Sequence, residues 1–306
     1  MLDAKELLTE LRSELEEAEQ KRQHHYKRVR PFRIIFNLTG IALLGAIAYA
    51  IYDSENGGEI LGIGWAPFMI MLVVYGIKYD FEKGKFKYHF QQRVVSKIIP
   101  KLGPSFSYQS RGGFGGNRLI ESRFFDTFKT YLSEDFVHGK VNNRTISFAE
   151  TKLEYRGSGS DDKTRTIFNG IYAEIKLSSR FASSCWLMPK KKKLSKNKGV
   201  TRVTFGEKEA RLLNKYRLYA EEETFAKQLF TADVLGKLMT INQDLRSKKV
   251  TSADMRFAFM GDTIRLAFNL RHKFMEPDLL KPVNTEAYLQ KELALLKELA
   301  RLAELV

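Results

Sequence analysis

Two apolar segments near the start of the chain constrain its fold more than any other feature. Residues 34–52 and 60–77 contain no Asp, Glu, Lys, Arg or His. A transmembrane helix needs about 20 mainly apolar residues, and spans in the high teens also occur. A helix buried in a soluble protein usually keeps a polar face, which both segments lack. The sequence therefore predicts a transmembrane hairpin over residues 34–77, joined by a short loop at 53–59.

The distribution of basic residues predicts how this hairpin is oriented. The basic residues next to the two segments are Lys21, Arg22, Lys27, Arg28, Arg30 and Arg33 before the first, and Lys78, Lys83, Lys85, Lys87, Arg93 and Lys97 after the second. The loop 53–59 carries acidic residues only. Because basic flanks stay on the cytoplasmic side, we expect a multi-pass inner (cell) membrane protein with both termini in the cytoplasm. A cleaved signal peptide is excluded by the long polar segment 1–33 that precedes the first apolar run.

Small residues in the first segment predict where another helix packs. Ala42, Ala46 and Ala50 repeat every four residues and share one helix face. Such spacing lets a second helix approach closely. The expected partner is the second span, and a second copy of the chain is the alternative. Neither span contains a charged residue to mark an ion path, so a small membrane pore component is a third-ranked hypothesis.

Amphipathic helices are expected at both ends of the chain. Residues 1–33 form a polar helix with a narrow apolar seam that suits a short coiled coil or packing on the protein's own domain. Residues 283–306 form a second helix with a wide apolar face, which must be buried against something. The leucines proposed to engage a partner helix are Leu289, Leu293, Leu296, Leu299 and Leu302. The N-terminal helix, the chain's own cytoplasmic domain, a second copy and a different protein all stay open as occupants.

The remaining sequence predicts a cytoplasmic α+β domain. Residues 78–104 extend the second span as a basic helix, and residues 105–275 alternate short β-like runs with turns. A hairpin is expected around Met260, Gly261 and Asp262, so the sheet should be mainly antiparallel. The glycine-rich stretch 112–116 is interpreted as a flexible joint, with a phosphate-binding loop as the alternative. The predicted fold is thus α+β: a two-helix membrane hairpin plus this domain, flanked by the two amphipathic helices.

Charge and one lysine cluster indicate an anionic partner. The formal net charge is +15 and the sequence pI is about 9.6. The cluster comprises Lys190, Lys191, Lys192, Lys193, Lys196 and Lys198. Each lysine close to an anionic leaflet is worth about 1 kcal/mol, so anionic lipid is the expected contact, with a solubilising loop as the alternative. Nucleic acid is disfavoured because no aromatic residues interleave with the lysines.

The sequence contains no signature of catalysis. It has no nucleophile elbow, metalloprotease or phosphate-loop motif, and no metal ligands at zinc-like spacing. The single cysteine, Cys185, is expected to be an inert buried thiol. We therefore expect no catalytic residue, metal or cofactor, and a membrane-anchored scaffold or interaction protein. The alternative is a membrane-bound enzyme whose site is assembled from residues far apart in sequence.

Two stretches carry a resemblance to a known family. "FNGIYAEIKLSSRF" and "NKYRLYAEEETFAKQLFTADVLGKLMTINQ" resemble the centre of a bacterial family of uncharacterised membrane proteins, the domain of unknown function 3137. The matching residues are Phe168, Gly170, Ile171, Tyr216, Tyr219, Ala226, Leu229, Phe230 and Thr231. The resemblance is placed from the spans to a strand ending near Leu270. It implies bacterial origin and inner-membrane placement, and it brings no known catalytic residue.

Overall fold

The computed structural model describes residues 4–52, 57–142, 144–157, 163–195, 199–248, 250–251 and 255–304. Its α-helices are α1 Ala4–Glu10, α2 Arg12–Tyr52, α3 Gly57–Phe90, α4 Ser96–Ile98, α5 Gly116–Glu121, α6 Glu207–Leu212, α7 Glu223–Leu229, α8 Ala232–Ser247 and α9 Glu286–Glu304. Its strands are β1 Ser107–Gln109, β2 Thr130–Val141, β3 Arg144–Arg156, β4 Thr164–Lys176, β5 Cys185–Pro189, β6 Thr201–Val203, β7 Tyr216–Ala220, β8 Arg256–Met260 and β9 Thr263–Asn269.

The chain divides into two compact units. The hairpin unit comprises Leu8–Val94 and Glu276–Thr285. The sheet unit comprises Met1–Leu7, Val95–Met275 and Glu286–Val306. The predicted α+β class is confirmed, because the chain combines these helices with one antiparallel sheet.

The sheet unit is built on nine strands in the order β1-β2-β3-β4-β9-β8-β5-β7-β6. Every pairing in it is antiparallel, as expected. The predicted hairpin is confirmed: Met260 pairs with Thr263 across a turn in which Gly261 has φ +58°. Glycine suits this turn because positive φ strains other residues.

One face of the sheet is covered by the segment that contains the glycine-rich stretch. Phe114 and Phe125 from this segment pack with Phe168 and Tyr172 of β4 in one apolar cluster. A side chain at Gly113 would overlap Ser133 of β2. The stretch is therefore packed closely against the sheet, and the interpretation as a flexible joint is wrong. Phosphate binding gains no support either, since α5 is a single short helix.

The other face of the sheet is covered by aromatic side chains from beyond β9 and before α8. The ring of Phe274 lies 5.7 Å from that of Phe148, and Phe230 lies 5.0 Å from Phe259. Helix α8 begins where expected, because the Thr231 hydroxyl accepts a hydrogen bond of 3.4 Å from the backbone N–H of Val234. Both faces of the sheet are thus buried, which explains the nearly continuous burial of strands β5 and β8.

In the hairpin unit, α2 runs without a break from the polar region into the first apolar segment. The sequence places a boundary at residue 33, but the helix continues through Pro31 to Tyr52. By length and composition α2 could cross a membrane, with a mean hydropathy of 2.1 in its most apolar window. The second predicted span, 60–77, lies within α3. Residues 53–56 of the predicted loop lie outside the described part of the chain.

Packing between α2 and α3 is carried by aromatic rings. Phe36 stacks on Phe68 at 5.3 Å and on Tyr75 at 5.4 Å between ring centroids. Gly40 faces the ring of Phe68, where a Cβ atom would make an ordinary contact of 3.6 Å. Leu43, one turn further along, is also buried. Residues 36, 40 and 43 therefore define the face of α2 that meets α3.

Candidate functional site

The predicted lysine cluster begins directly after β5, at a turn formed by Lys190–Lys193. The backbone N–H of Lys192 donates to the carbonyl of Pro189 at 2.8 Å, and that of Lys190 donates to the carbonyl of Lys215 at 2.8 Å. All four lysine side chains of this turn are exposed. Leu194, the next residue, is buried in the apolar cluster and anchors the turn. We call these four residues the lysine turn; Lys196 and Lys198 lie outside the described residues.

Lys192 differs from its neighbours in its electrostatic surroundings. Partial burial lowers the pKa of its ammonium group, and the positive charges of Arg256 and Arg165 lower it further. Asp126 acts in the opposite direction. The turn therefore borders a group of basic residues that come from different parts of the sequence.

Arg256 at the start of β8 is the functional candidate that the sequence did not indicate. Its side chain is only 3% exposed, and its guanidinium carbon lies 5.1 Å from the ring of Phe125 and 5.3 Å from that of Phe168. Its Nε and Nη1 atoms are buried and have no hydrogen-bond partner in the described part of the chain. Burial lowers its pKa to about 10, although Asp126 opposes the shift. Buried guanidinium nitrogens without hydrogen-bond partners are energetically costly, so these two atoms of Arg256 make it a candidate for binding a ligand.

The hairpin presents an apolar surface to its surroundings. The large exposed aliphatic and methionine side chains of α2 and α3 within the predicted spans are Ile34, Ile35, Leu38, Ile41, Leu44, Ile47, Ile51, Met69, Ile70, Leu72, Val73, Val74 and Ile77. Of the predicted packing residues, Ala42 is exposed, while Ala46 and Ala50 are half-buried. A patch of this extent on a folded chain marks a membrane or protein contact.

Below the apolar segments, α2 and α3 are joined by a buried carboxylate. Glu82 is 1% exposed, and its Oε2 lies 2.7 Å from Nδ1 of His25 and 4.0 Å from Arg28. Its Oε1 lies 3.2 Å from Nζ of Lys78. Burial would raise the pKa of Glu82, but the hydrogen bonds from His25 and Lys78 outweigh burial and lower it. We call the polar parts of the two helices, residues 12–33 of α2 and 78–90 of α3, the stem.

The stem also holds the segment 276–285. Arg22 donates to the carbonyl of Leu279 at 2.9 Å and pairs with Glu19 at 2.6 Å. The same carboxylate accepts a 3.2 Å hydrogen bond from the backbone N–H of Val283. Lys83 pairs with Glu276 at 2.7 Å. The N-terminal polar helix therefore packs within its own chain, which is one of the alternatives that its apolar seam allows.

The leucines proposed to engage a partner are mostly buried in the chain itself. Leu289, Leu293, Leu296 and Leu299 are each at most 2% exposed, and the side chain of Leu302 is outside the description. Helix α9 contacts α8 and β2 within the sheet unit. Two interactions fix its position: Lys248 with Glu298 at 3.0 Å, and Arg301 with Asp244 at 3.1 Å. This arrangement favours the protein's own domain as the occupant of the apolar face.

Groups associated with catalysis are not brought together in the described residues. Cys185 is buried on β5, and burial raises the pKa of its thiol, as expected for an inert cysteine. Within the described ranges, no three His, Cys, Asp or Glu side chains are grouped to hold a metal ion. A groove beside α9 of about 560 Å³ is lined mainly by alanine, leucine and lysine residues, and includes Ala287 and Gln290.

Comparison with known families identifies the second half of the chain. Residues 166–306 match the family model described as "Protein of unknown function (DUF3137)". The match covers slightly less than half of the chain, and within these residues the chain is similar to that family. The resemblance is thus confirmed, although the matching region begins at β4 and continues through α9, whereas the sequence interpretation placed it from the spans to Leu270.

The structure gives a physical reason for two of the DUF3137 residues that carry the resemblance. A side chain at Gly170 would overlap the backbone carbonyl of Phe268 on the adjacent strand β9, so only glycine fits there. Phe168 is fully buried in the apolar cluster. These positions maintain the fold and do not by themselves indicate chemistry.

Other comparisons add little. No curated protein matches the chain. Among solved structures, the crystal structure of the mycobacterial trehalose monomycolate transport factor A, TtfA, is similar over 70% of this chain and 97% of that chain, with 9% sequence identity and a TM-score of 0.38. A similarity at this level assigns neither a fold nor a function to this chain.

Proposed function

We propose that the protein is a non-catalytic, membrane-anchored scaffold. In this proposal residues 34–52 and 60–77 span the inner membrane as a hairpin, and both termini and the sheet unit are cytoplasmic. The lysine turn contacts anionic lipid, and the terminal helices serve protein partners or a second copy.

The observation that supports this proposal most strongly is the outward-facing apolar surface of α2 and α3. Leu44 is 67% exposed and Ile70 is 63% exposed, and both lie near the middle of a predicted span. In water such side chains would be unfavourable at about 25 cal/mol per Å² of apolar surface, whereas a bilayer solvates them. The polar contacts of Glu82 begin where the apolar surface ends, as expected for a helix pair that leaves a bilayer.

The orientation is tested by labelling a cysteine in the loop. Asn56→Cys in a Cys185→Ala background should react with a membrane-impermeant maleimide in right-side-out vesicles and be protected in inside-out vesicles. Lys191→Cys in the same background is the matched control, with the opposite pattern expected. Labelling of both positions from the same side would contradict a two-span hairpin.

Lipid contact by the lysine turn is tested in nanodiscs. A fluorophore attached at Lys191→Cys should be quenched by headgroup-labelled lipid more strongly in discs that contain anionic lipid than in zwitterionic discs. The difference should shrink at high salt, since screening shortens the range of the attraction. Equal quenching in both lipids would reject the contact. The same fluorophore at Lys140→Cys, an exposed position on β2 that is five strands away from β5 in the sheet, is the control.

Protein partners are expected to reach α9 by its exposed positions, because its leucines are buried. Ala287 and Gln290 line the groove beside α9 and are exposed. Replacing both with Trp should fill the groove and reduce co-purifying partners or the oligomer mass measured by light scattering. Unchanged partners and mass would remove α9 from the proposal, leaving the membrane anchor untouched.

A further inference from the structure

Arg256 carries an unsatisfied charge that the scaffold proposal does not explain. Its Nε and Nη1 atoms are buried, and no described residue accepts a hydrogen bond from them. The contacts that it does make are with the faces of Phe125 and Phe168, and these aromatic rings offer no hydrogen-bond acceptor oxygen. Buried charged groups in proteins are normally paired with an opposite charge. An anion therefore is the missing partner.

The strand register places Arg256 close to the base of the lysine turn. Leu187 of β5 pairs with Phe257 of β8 in an antiparallel register, so Arg256 lies beside Met188. Strand β5 ends one residue later, at Pro189, and the lysine turn follows. The buried guanidinium and the exposed ammonium groups thus belong to the same end of two neighbouring strands.

The charges around Arg256 do not cancel. The positive charges of Arg256 and Arg165 act on Lys192, and the carboxylate of Asp126 acts on both Lys192 and Arg256. Asp126 is exposed and accepts no hydrogen bond from the Nε or Nη1 atoms of Arg256. Three cations and one carboxylate leave two positive charges in excess. This excess matches the charge of a phosphate monoester or of inorganic phosphate near neutral pH.

We propose that Arg256, Lys192 and Arg165 form a binding site for a phosphate group. The two unpartnered nitrogens of Arg256 can each donate a hydrogen bond to a phosphate oxygen, and Lys192 adds a flexible point charge at the exposed side. Inorganic phosphate and a lipid phosphate headgroup share this chemistry. The site goes beyond the scaffold proposal, because it is expected to bind phosphate in the absence of any membrane.

The test uses the full-length chain in an uncharged detergent. Sodium phosphate is titrated against sodium chloride of matched ionic strength, and thermal unfolding is followed by the fluorescence of Trp186 in a Trp65→Phe background, since the chain has two tryptophans. A ligand that binds only the folded state raises the melting temperature in a saturable manner. We expect such a rise with phosphate and none with chloride. A short-chain phosphatidic acid is titrated in parallel, with short-chain phosphatidylcholine as its control.

The two titrations identify the source of the phosphate group. A Kd for phosphatidic acid at least tenfold lower than that for inorganic phosphate assigns the site to a lipid headgroup. A response to inorganic phosphate alone assigns it to the free anion. No response to either would overturn the proposal, as expected if a carboxylate of the chain itself occupied the nitrogens of Arg256.

Three variants separate a ligand site from a structural arginine. Arg256→Met keeps the volume of the side chain and should abolish the phosphate response while leaving the melting temperature in chloride equal or higher. Lys192→Gln and Arg165→Gln are surface changes that should each raise the Kd by about tenfold, the loss of one charge-assisted hydrogen bond. Lys191→Gln, the neighbouring exposed lysine, is the control and should keep the wild-type Kd.

Two outcomes would contradict the site. The first is a wild-type Kd for phosphate in Arg256→Met. The second is a wild-type Kd in both Lys192→Gln and Arg165→Gln. These two surface variants can be measured even where Arg256→Met does not fold. These readouts are independent of the membrane proposal. Loss of phosphate binding would leave the cysteine labelling of the hairpin unchanged, and a different topology would leave phosphate binding in detergent unchanged.

Discussion

The hairpin unit and the sheet unit distribute apolar and charged side chains in opposite ways. In the sheet unit the large apolar residues, such as Phe168 and Trp186, are fully buried between strands and covering segments. In the hairpin unit many large apolar residues face outward, while the carboxylate of Glu82 is enclosed between helices. These opposite distributions are what the membrane proposal requires, in which water surrounds the sheet unit and lipid surrounds the middle of the hairpin.

The largest expected effect belongs to the core of the sheet unit. Phe168→Ala should lower its free energy of unfolding by about 3–5 kcal/mol, because it removes a buried ring that contacts Phe125 at 4.7 Å and leaves a cavity. Urea titration of the full-length chain in a Trp65→Phe background, followed by Trp186 fluorescence, measures the change. Ile120→Ala, an exposed site of the same unit, should stay within about 0.5 kcal/mol. Equal effects at both positions would contradict the description of the core.

A matched pair of exposed leucines sharpens the comparison between the units. Leu44 of α2 is 67% exposed and Leu132 of β2 is 53% exposed. Leu44→Lys should oppose membrane insertion by about 2.5–3.5 kcal/mol, while Leu132→Lys should change stability by no more than about 0.5 kcal/mol. The fraction of each variant that resists alkaline extraction from membranes measures insertion. Indifference to lysine at both positions would mean that α2 does not face lipid.

Two buried carboxylates should give the units opposite responses to pH, and the larger effect is expected in the sheet unit. Burial raises the pKa of Glu150 to about 7, although the backbone N–H of Phe274 and the charge of Lys273 oppose the shift. The contribution of Glu150 to the free energy of unfolding is fully present below its unfolded pKa near 4.5. It is lost as the pH rises through about 7, and the change is about 3 kcal/mol at most. Glu150→Gln should remove this pH dependence while accepting the same hydrogen bond. An unchanged slope in unfolding measurements would exclude Glu150 as its source.

Glu82 in the stem should respond in the other direction and more weakly. Hydrogen bonds from His25 and Lys78 lower the pKa of Glu82 in the folded state. Its contribution to the free energy of unfolding is therefore present above its unfolded pKa and is lost as the pH falls through its folded pKa. Glu82→Gln should lower the free energy of unfolding by about 1–3 kcal/mol at neutral pH. The variant should no longer lose stability as the pH falls. Proteolysis of the stem at pH 7 and pH 4 measures this effect. Glu16→Gln, which removes an exposed ion pair with Arg12 on α2, is the control and should change little.

Features that depend on neighbours in sequence could be predicted, and features that depend on distant neighbours could not. The Met260–Thr263 hairpin and the Thr231 cap follow from local turn and capping chemistry, and the structure contains both. The burial of Arg256 could not be read from "DMRFAFM", because it results from Phe125 and Phe168, which lie far away in the sequence.

The same reasoning explains two further results. The wide apolar face of α9 predicts from the sequence that this face is buried. The position of α9 against α8 depends on salt bridges such as that between Lys248 and Glu298, which no sequence pattern predicts. The glycine-rich stretch was misinterpreted because glycine serves flexibility and close packing equally well, and only the presence of Ser133 beside Gly113 decides between them.

Helix α3 has a mechanical consequence. Beyond residue 77 it continues to Phe90 without interruption, a rigid extension of about 20 Å at 1.5 Å per residue. Transmembrane helices tilt to match the thickness of the bilayer. If residues 60–77 span the membrane, a change in tilt of about 10° would displace the end of this extension by about 3 Å. The stem would then work as a lever that converts bilayer thickness into motion on the cytoplasmic side.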